Sequence, residues 1–250
     1  MGELLGRVQR HSTAASLIYL AILLTFTLRY MLVSLSRSWF FSSDEYVIAG
    51  EVIRFLNLDL HQRFFDMPGT PFMMLSAVLW ALFYPLQTWF RPDSYSPDIL
   101  AFTFHHLDWF FTLLRSGTIF FYAGSLVVLF PVARRVLNRA GAFVACLLLM
   151  MSSNYADYSS FCRVESMAIF LALSALLVVY RALEKSPNRL GARPSWRAPM
   201  LLAGVLVGVS AATRLHSIAA SMPLLLLILA FDERMRRRQQ YPRWTLSAAV

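Results

Sequence analysis

Six stretches of this chain, roughly 14–35, 109–132, 142–158, 164–181, 198–214 and 215–231, are apolar and almost free of charge. A helix needs about 20 such residues to cross a bilayer, with about 17 as the lower limit. The six runs meet that requirement, the last four only just, so they either thin the bilayer locally or extend into their flanks. The fold class they specify is all-α: a polytopic transmembrane helical bundle of about six spans. Composition agrees, with 58% hydrophobic and 15% charged residues against about 25% charged in soluble chains. A soluble enzyme, a secreted disulfide scaffold and a disordered tail are excluded.

The formal charge of +9 would suit a nucleic-acid partner, but the basic residues fall in short clusters between the apolar runs. These are Arg7 and Arg10; Arg134, Arg135 and Arg139; Lys185, Arg189, Arg193 and Arg197; and Arg234, Arg236, Arg237 and Arg238. With the N-terminus inside and six spans, every cluster lands in the cytoplasm, the arrangement that orients membrane proteins. Nucleic acid is therefore not the expected partner. The first run is as long as a span and lacks a small-residue cleavage site, which reads as a retained signal anchor. Cys146 and Cys162 have no metal-type spacing and read as packing residues.

A further apolar run, 72–89, would reverse this topology if it crossed. Residues 99–107 cannot restore the parity, because nine helical residues reach only about 14 Å. Residues 36–108 are accordingly expected to form one large extracytoplasmic loop with amphipathic interface helices. Run 72–89 lies along the outer face, where Trp80, Tyr84 and Trp89 suit a membrane interface. Ser42 to Glu45 read as a capping box. Ile48, Val52, Phe55 and Leu56 give the following helix an apolar stripe, expected to lie on the membrane surface. Residues 1–250 form a single domain, read as truncated because 246–250 look like the start of a seventh span.

Several ionisable residues could carry chemistry. Asp44 and Glu45 begin the surface helix, where acids favour the helix dipole but are also poised to take a proton from a hydroxyl; the dipeptide fits both. His105, His106 and Asp108 precede the second span; the two histidines point about 100° apart on a helix, which favours hydrogen bonding over a metal site. Arg115, inside that span, can snorkel outward or bind an anion. Asp157, Arg163 and Glu165 share a short outer loop, with Glu165 in the first turn of an apolar helix, where ionisable groups are functional candidates. Arg214 and His216 occupy the next outer turn, in reach of a lipid phosphate. A base for an acceptor and cations for a leaving phosphate are what transfer from a lipid phosphate needs.

The layout resembles the GT-C class of membrane glycosyltransferases, in the branch of protein O-mannosyltransferases and bacterial aminoarabinose transferases. The resemblance rests on Asp44-Glu45 after the first span, the turn 66–71 (Asp-Met-Pro-Gly-Thr-Pro), Arg115, the basic stretch 133–139, Arg163-Val164-Glu165, and the glycine-spaced span ending at Arg214. It implies transfer of a sugar from a polyprenyl-phosphate donor to a protein, lipid or glycan on the extracytoplasmic side, in the bacterial cytoplasmic (inner) membrane. Asp44 would be the general base, with Glu45 and Glu165 as further acids, and Arg214, Arg115 and Arg163 would meet the donor phosphate. A divalent ion could bridge carboxylate and phosphate, but no ligand set compels one. The turn lacks the family's histidine, and the second acid is Glu where Asp is common. The alternatives are a transporter or lipid flippase, which Pro223 favours, and a non-catalytic scaffold.

Overall fold

Each apolar run within the described part of the chain folds as a helix. The structure is a computed structural model that describes residues 17–29, 32, 43–61, 69–90, 98–152, 161–185 and 197–214. Within these residues lie eight helices and no strand. They are α1 (Leu17–Arg29), α2 (Ser43–Leu56), α3 (Thr70–Phe90), α4 (Ile99–His105), α5 (Leu107–Val136), α6 (Arg139–Met151), α7 (Glu165–Lys185) and α8 (Arg197–Thr213). Two of them, α5 and α7 (over Glu165–Ala182), are long and apolar enough by themselves to cross a membrane. Helices α1, α3 (over Thr70–Leu86), α6 and α8 (over Ala198–Thr213) are apolar but shorter. The expected run 215–231 and Pro223 lie outside the described residues.

Packing follows the apolar faces. Helix α7 lies along both α8 and α5, α6 folds back on α5, and α2 rests on α3. The main core joins α2, α3, α5 and the start of α7 through Ile48, Val52, Phe72, Trp80, Phe110, Leu114 and Met167. Leu23, Tyr122, Leu126 and Ala142 tie α1 and α6 to α5, while Ala175, Val179, Ala203 and Val207 join α7 to α8. Gly124 permits the close approach of α5 to α7: a Cβ there would meet the Phe170 ring at 2.8 Å. Cys146 and Cys162 are free and buried within the first two of these clusters.

Three expectations for the outer loop change. Helix α2 has the apolar stripe read from its spacing, but Ile48, Val52 and Phe55 are buried in protein, not laid on a membrane surface. Its acids go inward too: Glu51 is buried and pairs with Arg54 at 3.2 Å. Nor does Glu45 reach back in a capping box, since its carboxylate serves another helix (below); Ser42 lies outside the described residues. Finally, Trp80 is a core residue, its indole N–H donating to Thr103 Oγ1 at 2.7 Å. Trp89, 82% exposed, does keep an outward position. A period of 3.6 fixes which face is apolar; it does not say whether lipid or protein covers that face.

Candidate active site

Arg115 stands in the third turn of α5, where a guanidinium without a partner would be strongly destabilising. Glu45, from the first turn of α2, supplies the partner. Arg115 Nε donates to Oε1 at 2.9 Å and Nη2 to Oε2 at 2.8 Å, and neither side chain is more than 3% exposed. Oε1 also accepts the backbone N–H of Cys162 at 2.8 Å. One carboxylate therefore ties α2, α5 and the segment before α7 together. Losing one member of such a pair costs about 3–5 kcal/mol.

That tie positions the next residue. Thr118, one turn beyond Arg115 on the same face of α5, accepts the Arg163 N–H at 3.2 Å through its hydroxyl. Gly69 clears the space beside Val164, whose side chain a Cβ at that position would strike. Arg163 then extends its guanidinium to Asp44, with Nη2 2.5 Å from Oδ2. Its other amino group, Nη1, lies 3.8 Å from Glu165 Oε1. Arg214, just past α8, reaches the same Oε1 at 2.8 Å. Ser210 holds α8 to α7 by donating to the Ala168 carbonyl at 2.8 Å. The result is an alternating ladder, Asp44–Arg163–Glu165–Arg214, assembled from α2, the start of α7 and the end of α8.

The ladder differs from the Glu45–Arg115 pair in solvent access. Its side chains are 14% to 33% exposed. Ion pairs with solvent access contribute about 0–1 kcal/mol, so these can exchange partners at small cost. Glu165 Oε2 and the Ser166 hydroxyl are buried without a hydrogen-bond partner. Burial, with Glu45 alongside, holds the Cys162 thiol well above its usual range. Cys162 is therefore no thiolate nucleophile despite its place beside the ladder.

The structure thus brings together Asp44, Arg163, Glu165 and Arg214, as expected of a shared site. It redirects Glu45 and Arg115. The sequence suggests a further acid and a phosphate-binding cation; in the structure the two side chains form a buried ion pair with each other. His105 is exposed at the end of α4, and His106 packs its ring 4.6 Å from that of Phe102. Among the described residues no three His, Cys, Asp or Glu side chains gather as a metal-ligand group. Asp157 and His216 lie outside the described residues. Asp108, with Phe83, Trp109, Thr112, Leu113 and Ser116, lines a cleft of about 440 Å³. Thr118 and Ser210 were missed from sequence, and Gly69 was read only as part of the turn 66–71. Thr118 carried a signal, a hydroxyl three residues after Arg115 in an apolar helix.

A family profile described as dolichyl-phosphate-mannose-protein mannosyltransferase matches residues 110–250, more than half of the chain. The chain belongs to that family. It is accordingly a membrane glycosyltransferase of GT-C type, in a family that draws sugars from polyprenyl-phosphate donors. Arg163, Glu165 and Arg214 fall within the matched stretch, whereas Asp44 precedes it. No curated protein and no solved structure matches the chain. The transporter alternative finds no support in the ladder, whose charges sit at helix ends and not on broken helices midway through the spans.

Proposed function

We propose that this glycosyltransferase moves a hexose or pentose from a polyprenyl-phosphate donor to a hydroxyl of a protein, lipid or glycan acceptor on the extracytoplasmic face. Asp44 is the general base, and the N-terminus is cytoplasmic in the bacterial cytoplasmic membrane. The observation that carries this reading is the Arg163 guanidinium, contacted by Asp44 on one side and by Glu165 on the other. It sets a carboxylate from the start of the outer loop beside a cation from the family-matched part of the chain, with Arg214 joined to the same ladder through Glu165.

The chemistry follows from that juxtaposition. The acceptor oxygen bonds to the anomeric carbon as its proton passes to Asp44. The bond from that carbon to the phosphate oxygen breaks, and its electron pair leaves with the polyprenyl phosphate. The departing phosphate gains negative charge, which Arg163 and Arg214 stand ready to meet. Glu165 touches both guanidinium groups and orients them.

The purified protein, given radiolabelled polyprenyl-phosphate sugars, should move label to acceptor or water. Replacing Asp44 with Asn should lower that rate by about 10²–10⁴-fold while membrane insertion stays intact. Wild-type turnover by the Asn variant would remove Asp44 from the role of base.

A further inference from the structure

The two ion pairs around α2 are built from neighbouring residues but in opposite ways. Glu45 and Arg115 are sealed, and their carboxylate carries a third bond to the chain at Cys162. Asp44 and Arg163 are both partly open to solvent, and Arg163 has a second carboxylate, Glu165, within 3.8 Å. The first arrangement is made to stay; the second can exchange. Yet the Asp44 oxygen that faces the Arg163 guanidinium at 2.5 Å is turned toward that cation and not toward an incoming hydroxyl.

We propose that Arg163 is a hand-over group. Without donor it holds Asp44; when the donor phosphate arrives it turns to the phosphate, and Asp44 becomes available to the acceptor only in the donor-loaded protein. This rests on the donor-phosphate reading above and adds an order to it: donor first, acceptor second.

The exchange is a competition between anions. Asp44, Arg163, Glu165 and Arg214 sum to zero when ionised, so an arriving phosphate must share the two guanidiniums with the two carboxylates. Phosphate offers a guanidinium a charge-assisted, two-pronged contact at least as good as a carboxylate's. Arg163 does not have to be repositioned as a whole, because its backbone is pinned by two N–H groups: its own to Thr118 and that of the preceding Cys162 to Glu45. Only the side chain swings. The later proton transfer to Asp44 then removes the charge that would draw Arg163 back, just as the leaving phosphate gains one. A consequence is that the protein suppresses acceptor activation while the donor is missing.

Carbodiimide footprinting, read by mass spectrometry on the purified protein in detergent, tests this with farnesyl phosphate as the probe. Carbodiimide reacts poorly with a carboxyl group held in an ion pair. Modification of Asp44 should rise about threefold or more when farnesyl phosphate saturates, and farnesol should leave it unchanged. Glu45, sealed against Arg115, should stay unmodified throughout. In the Arg163→Gln variant, shown folded by size-exclusion chromatography, Asp44 should be reactive from the start and insensitive to the probe. If radiolabelled farnesyl phosphate binds but Asp44 reactivity is unchanged or falls, the hand-over is wrong and the phosphate site stands. If farnesyl phosphate does not bind, both fail.

Discussion

Asp44 and Glu45 are adjacent on one helix, and about 100° of rotation separates their side chains. That angle decides their fates: Glu45 turns into the protein against Arg115, and Asp44 stays at the edge with Arg163. Substitution should therefore separate them. Glu45→Gln leaves the buried Arg115 charge without its counter-ion and should cost about 3 kcal/mol. Asp44→Asn loses a solvent-accessible pair and should cost no more than about 1 kcal/mol. Thermal unfolding in detergent measures both, and equal shifts would contradict the division of labour. From sequence the two acids were legible as a pair at the start of a helix. Which one points inward depends on Arg115, seventy residues away, and no local pattern encodes that.

Helix α2 shows the same limit one level up. Its dipole is matched by acids in the first turn and Arg54 in the last. Its end is closed by the Leu58 and Asp59 N–H groups, which reach back to Phe55 and Arg54. Arg54 also bonds the Asp59 side chain at 2.6 Å, which holds that carboxyl below its usual range. The closure puts Leu58 at φ 59°, a left-handed conformation that glycine adopts freely. Leu58 is also 86% exposed, so it contributes little burial. Leu58→Gly should stabilise the protein by about 1 kcal/mol, seen as a higher midpoint in chemical denaturation; a lower midpoint would contradict this account of the turn. The apolar stripe of α2 was legible in its spacing. Its burial was not, because α3, read as a helix on the membrane face, turns out to cover it.

Across the whole molecule, the helical class was the most legible feature, because long uncharged runs leave a bilayer helix as their natural state. The gathering of Asp44, Arg163, Glu165 and Arg214 was legible in outline, since all four were placed at span ends on one side. Their order along the ladder was not, because it follows from where α7 meets α8 and from the tie between Glu45 and the chain before α7. The central claim is that carboxylates more than a hundred residues apart meet over one guanidinium. Paired cysteines at positions 44 and 165, treated in membranes with a short bifunctional thiol reagent, test it most directly. We expect an intramolecular cross-link for that pair and none for cysteines at 44 and 134, the latter near the far end of α5. Absence of the 44–165 product while both cysteines react singly, or an equal yield from 44–134, would contradict the shared site.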